Sequence, residues 1–429
     1  MTFTAMNWNL GGAGADTGRD VFATMTANLW TPEQVSLADD ADDIANLGDT
    51  ERLALTRIFA ALATLESLQA TTATGALMAD AGNAAGGTAN AGSTDGRTGS
   101  DGADGGLGQA ALTAIAFGEA MHTKAYSTLI AAIGGNEATG PAFEWAQRSE
   151  AMQEKLGLLS QVYAATANTT ATTSDDQPEN TTTSNSENGD TSQAGSGSDA
   201  GPAADLNSAV DSAVDSATSS TQTYDIAALK RLAAAVLAEV LLAESGFYLP
   251  MWLSSRGTLA KSADLVRLVN RDIVTSSSYL GSVYQRSLAT LGDDTREEMR
   301  QYVYDLANNL YFAEEDFGYE LPYGEIGLED DIEKFLSYNA NKALSYLGYP
   351  ALFPAEISQP NPAVTDELND MDSLDAALKS GGPLAAGAGA GTRSGFGSAG
   401  SSASSATSSS TGATAANKAE ETSDDDWDF

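Results

Sequence analysis

Apolar residues recur at helical spacing through most of this chain. Between Asp49 and about Ala79, Leu55, Ile58, Phe59, Leu62 and Leu65 fall three or four residues apart, on one face of a helix. The same period predicts helices over 108–135, 141–165, 224–255, 261–291, 294–319 and 328–347. Gly257, Gly292 and Gly348 stand at the breaks, where helices stop. No segment between them alternates as a half-buried strand does. Long helices that are apolar over much of their surface must cover one another, so the pattern predicts an all-α helical bundle.

Three stretches lack any apolar period. Residues 80–108 are rich in Gly, Ala and Asp, 166–222 in Thr, Ser, Asp and Asn, and 380–426 in Gly, Ser, Ala and Thr. They hold too little to bury, and disorder is the expectation for each. The chain therefore divides into an N-terminal extension (1–28), one bundle (29–355) interrupted by inserts at about 80–108 and 166–222, and a flexible tail (356–429) with an acidic terminus.

Charge sharpens the picture. With 59 acidic and 21 basic residues the formal net charge is -38. No basic patch is left to hold phosphates, which argues against nucleic-acid binding. An acid-rich, lysine-poor surface is what a halophilic protein uses to stay hydrated, and its self-repulsion is poorly screened at low salt. The absence of cysteine excludes disulfides and thiolate chemistry. The first 30 residues lack a basic start followed by an apolar core, and the longest apolar run, LAAAVLAEVLLAESGFYLPMWL, contains Glu239 and Glu244. The expectation is a cytoplasmic protein with no membrane span.

Candidate chemistry lies inside the apolar helices. Ile115, Glu119, His122 and Tyr126 fall at i, i+4, i+7 and i+11, one inward stripe, and His122 is the sole histidine. Glu66 shares the face of Phe59 and Leu62, and Glu239 has apolar neighbours on every side. An isolated buried carboxylate costs several kcal/mol and needs a partner, a proton or a metal. Taken singly, each acid also fits a partly exposed helix edge, and a lone Glu-x-x-His pair is a weak motif. Together they point to a carboxylate metal site in a bundle core.

Several segments carry a family resemblance. LWTPEQVSLADD (29–40), ATLESLQ (63–69), GALMADA (75–81), GEAMHTKAYS (118–127), LAEVLLAESGFYLPMWLSSRGTLAKSADLVRLVNRD (237–272) and FLSYNANKALSYLGYPALFP (335–354) resemble the small, radical-bearing subunit of class I ribonucleotide reductase, nearest its class Ib branch. The resemblance implies a ferritin-like bundle and iron or manganese as cofactor. It makes Glu66, Glu119, His122 and Glu239 metal ligands, Tyr126 the stored radical, and Trp30 and Asp331 positions on the outward radical path. It also implies a homodimer, a flavodoxin-like activator, and docking of the terminus EETSDDDWDF (420–429) on the large subunit, which would reduce ribonucleoside diphosphates.

The chain departs from that pattern. After Arg271-Asp272 the family's second Glu-x-x-His becomes Ile273 and Ser276. Four of six ligand positions keep ligand chemistry, so one metal ion or none is expected beside two. Glu244 lies about 140° around a regular helix from Glu239 and would need a π-bulge to replace a lost ligand. The tail has no tyrosine after Tyr349, only Phe396, Trp427 and Phe429 as aromatics. A second reading follows: a metal-poor paralogue with a regulatory or structural role. A third is a single-metal or metal-free oxidase-like relative.

Overall fold

The computed structural model describes residues 13–86, 106–165 and 226–371, together with 6, 8 and 9. All of them lie in one compact unit, Met1–Ala388. Among the described residues the α-helices are α1 (Ala13–Ala27), α2 (Ala41–Asn46), α3 (Asp49–Leu68), α4 (Thr74–Gly86), α5 (Leu107–Gly134), α6 (Asn136–Arg148) and α7 (Glu150–Ala164). They continue with α8 (Ile226–Val236), α9 (Tyr248–Ser254), α10 (Ala260–Leu288), α11 (Asp293–Tyr319), α12 (Tyr323–Ile326), α13 (Glu329–Tyr346) and α14 (Pro362–Leu368). No strand occurs among these residues, as the apolar period predicts.

Two of the expected helices are not regular. Glu66 is followed by a π-helical turn, Gln69–Ala73, before α4 begins. The long segment expected over 224–255 passes from α8 into a π-helical stretch, Leu237–Ala243, then a 3-10 turn, Glu244–Phe247, then α9. The expected 141–165 helix is two, because Ser149 ends α6 and caps α7, its hydroxyl accepting the Met152 N–H at 3.0 Å. Gly257 and Gly348 are stops in the left-handed region, with φ of 81° each. Gly292 instead opens α11 from an extended conformation.

The ends of the first low-complexity segment belong to the bundle. α4 runs through Gly86, and Asp80 on it accepts from Arg231 Nε at 2.7 Å. α5 begins at Leu107. The expected disorder of 87–105, 166–222 and 380–426, and the terminus 420–429, lies outside the described residues. Within the N-terminal extension, α1 packs on α5 and α10.

α3 and α5 pair along their lengths at the centre, and α6 covers both. The π stretch of 237–243 packs between α11 and α13. The run Asp49–Gly82 is long and apolar enough to cross a membrane by length and composition, yet 67% of its apolar window is buried within the bundle. It is a core helix. α10 is held at its start by acids from elsewhere. Asp40 accepts the backbone N–H groups of Lys261 and Ser262 at 2.9 and 2.6 Å, and Asp43 accepts that of Leu259 at 2.9 Å. These bonds satisfy donors that a helix start leaves unpaired, and they hold Leu259 at a φ of 61°. They fix the helix that carries Asp272 and Ile273.

Candidate metal and radical centre

The apolar faces of α3 and α5 bring Glu66, Glu119 and His122 together. All three are buried, and their ligand atoms lie within 4.8 Å of one another. His122 Nδ1 stands 3.7 Å from Glu66 Oε2 and 3.5 Å from Glu119 Oε2. These separations suit ion pairing but are long for hydrogen bonds. Both Glu66 oxygens, Glu119 Oε2 and His122 Nδ1 have no hydrogen-bond partner, although water is excluded from them.

The other face of the imidazole is tied to α10. His122 Nε2 lies 3.4 Å from Asp272 Oδ2, and the Trp30 indole N–H donates to the same oxygen at 2.8 Å. The Trp30 and His122 rings are stacked, with centroids 6.3 Å apart. A carboxylate at Nε2 favours a proton there, so Nδ1, the nitrogen that faces Glu66 and Glu119, is the one a cation would take. A shallow cleft lined by Met25, Leu29, Trp30, Phe117, Gly118 and Asp272 opens at this end.

Glu239 enters from the π-helical stretch and is buried. Its Oε1 accepts from Gln69 Nε2 at 3.2 Å, and Gln69 Oε1 accepts from the Tyr163 hydroxyl at 2.8 Å. Glu239 Oε2 has no partner. Tyr126, one turn beyond His122, is fully buried with its hydroxyl unpartnered, and its ring stacks on Phe59 at 5.9 Å.

The electrostatics follow from crowding acids in a dry core. Burial, then the neighbouring Glu66, pushes the Glu119 carboxyl well above its usual range. Burial and Glu119 do the same to Glu239. For His122, burial alone would favour the neutral ring, but Asp272, Glu119 and Glu66 outweigh it and hold the imidazolium well above the ordinary histidine range. Burial, with Glu66, Glu239 and Glu119 nearby, keeps the Tyr126 phenol protonated far above its normal range. Without a cation, protons must offset the carboxylate charge.

The residues present fit one ion and not two. Ile273 is fully buried and offers no donor. Ser276 turns its hydroxyl back onto its own helix and donates to the Ile273 carbonyl at 3.1 Å. The π-bulge that would bring Glu244 toward Glu239 does exist, but both Glu244 oxygens accept from Lys342 Nζ, at 2.8 and 2.6 Å. Asp331 does not join the site: it is half-buried on α13 beside Tyr248, whose phenol is pushed up first by burial and then by Asp331. The group that does link Trp30 to His122 is Asp272, which the sequence marks only as part of the Arg271-Asp272 pair. Gln69, Tyr163 and Lys342 were also missed.

A helical bundle with carboxylates and an imidazole meeting from separate helices defines the ferritin-like class of carboxylate proteins. Within that class the chain belongs to the ribonucleotide reductase small chain family, whose model matches residues 15–86 and 203–362. The match omits α5, so it is the geometry that brings Glu119, His122 and Tyr126 to the family's segments. The chain is 29% identical over 366 residues to the ribonucleoside-diphosphate reductase subunit beta NrdF2 of Mycobacterium tuberculosis, covering 85% of this chain and 87% of that one. It is 28% identical to the ribonucleoside-diphosphate reductase 2 subunit beta of Escherichia coli, covering 85% and 88%. Among solved structures, the dimanganese(II) NrdF of Streptococcus sanguinis superposes with a TM-score of 0.62 at 23% identity, over 86% of this chain and all of that one. The chain is thus a subunit of the oxidoreductase class that reduces ribonucleoside diphosphates.

Proposed function

We propose that this chain stores an oxidising equivalent on Tyr126 and delivers it to a large subunit that binds and reduces the ribonucleoside diphosphate. The observation that carries the reading is the buried, unpartnered Tyr126 hydroxyl within electrostatic reach of Glu66, Glu119 and Glu239. Loss of one electron and one proton converts such a phenol into a neutral radical. Burial excludes the solvent and reductants that would quench it. The Trp30–Asp272–His122 chain of polar contacts gives the site a route toward the surface cleft. Metal at Glu66, Glu119, His122 and Glu239 would, when bound, activate dioxygen or an oxygen-derived oxidant, and that oxidant would accept the electron that Tyr126 loses.

Delivery is proposed to use the acidic terminus 420–429 as the docking element on the large subunit, with Trp427 as its oxidisable aromatic. A homodimer, a flavodoxin-like activator, a cytoplasmic location and a halophilic surface complete the reading.

Electron paramagnetic resonance on the full chain purified from its expression host tests it. Wild type should show a tyrosyl signal, and Tyr126→Phe should lack it while keeping the same helical circular dichroism. A signal that survives in Tyr126→Phe places the radical elsewhere. A wild-type chain with neither signal nor turnover in the presence of its large subunit overturns the function.

A further inference from the structure

We infer that each chain binds a single divalent transition-metal ion, held by Glu66, Glu119 and His122 with Glu239 as the facing carboxylate, and has no second metal position. The inference deepens the radical-centre reading and rests on it for the site's purpose, but its evidence is the geometry alone.

Four buried polar atoms without partners converge here, both oxygens of Glu66, Glu119 Oε2 and His122 Nδ1, and Glu239 Oε2, also unpartnered, belongs to a carboxyl that feels the charges of Glu119 and His122. A buried polar atom left unpaired costs about 1–3 kcal/mol, and a charged one more. A native core rarely gathers so many in one place without a ligand. Carboxylate oxygens with one imidazole nitrogen are a hard-to-borderline donor set that suits manganese(II) or iron(II). Asp272 orients the imidazole from behind, as a partner of a metal-bound histidine does.

The limit to one ion comes from four further observations. Ile273 fills its position with hydrocarbon. The Ser276 hydroxyl is spent on its own helix. Glu244 is satisfied by Lys342 and leaves no charge for a cation to offset. Glu239 keeps only one oxygen free, because the Gln69 amide, itself fixed by the Tyr163 hydroxyl, occupies the other.

Anaerobic titration of the metal-free full chain with manganese(II) decides the matter. High potassium chloride, followed by gel filtration, strips weakly held ions from the acidic surface. One retained ion per chain with the six-line spectrum of an isolated manganese(II) is the expected result. Two retained ions with an exchange-coupled spectrum, or none, would overturn the inference. His122→Ala and Glu119→Gln should each lose the retained ion while the helical circular dichroism persists. Retention in both folded variants would put the ion elsewhere. A chain that retains one ion but never shows the Tyr126 signal removes the functional reading and leaves this assignment standing. A radical beside two coupled ions does the reverse.

Discussion

At the scale of single residues, the most consequential contact is the Glu244–Lys342 pair. Burial raises the Glu244 carboxyl, and the ammonium of Lys342 opposes that shift. Removing one partner of a buried pair strands the other charge in the core, which costs about 3–5 kcal/mol. The Lys342 side chain is 22% exposed, so the lower end applies. Lys342→Met should therefore lower unfolding stability by about 3 kcal/mol in urea titration. The double change with Glu244→Leu should recover most of it, since an apolar pair of similar size removes both desolvation penalties. Recovery by less than half would show that the pair stabilises the core beyond mutual neutralisation. No sequence pattern announced this contact, because its members are 98 positions apart and each looks like an ordinary charge on its own helix. Glu119, His122 and Tyr126 were legible for the opposite reason: they share one helix, and 3.6 residues per turn fixes their common face. Asp272 lay between these cases. The motif names it in the Arg271-Asp272 pair, but the Trp30 and His122 groups it joins come from other segments.

At the scale of elements, the two π-helical stretches are what regular periodicity could not show. Each lies at a proposed ligand: Gln69–Ala73 begins just after Glu66, and Leu237–Ala243 contains Glu239. A π turn shifts the register of every later side chain, and such turns cluster at functional sites. Around Glu239 the helix is apolar on all sides, so no stripe existed whose drift would have revealed the extra residue. Helix contacts depend on small residues in the same hidden way. A methyl on Gly281 of α10 would meet the Tyr346 carbonyl of α13, a backbone atom that cannot swing aside. Gly281→Ala should cost about 2 kcal/mol through overpacking, seen as a lower thermal midpoint. Gly75 of α4 faces open space in regular helix. Gly75→Ala should stabilise the chain by about 0.5–1 kcal/mol by the same measurement. A Gly281→Ala midpoint no lower than that of the wild type would mean that close α10–α13 packing is not what Gly281 supplies.

At the scale of the whole molecule, two separate charge systems respond to pH, and salt distinguishes them. The chain's formal net charge is -38, and repulsion among its solvent-exposed charges is screened within about 3 Å at 1 M salt. The core cluster is out of reach of that screening. Glu119 and Glu239 hold their protons well above the ordinary carboxylate range that an unfolded chain would show. His122 likewise holds its proton well above 6.5. A group whose folded pKa is raised contributes its full stability below the unfolded pKa and loses it as pH climbs toward the folded value. All three groups therefore act in the same direction. In molar potassium chloride the metal-free chain should lose stability steadily as pH rises from about 5 to 8. A bound divalent ion takes the place of those protons and should flatten the profile. Glu119→Gln, neutral at every pH, should also reduce the slope in the metal-free chain. Thermal midpoints across that pH range, with and without manganese(II), give the comparison. A metal-free profile as flat as the loaded one would mean that protons do not stand in for the cation at the bundle centre.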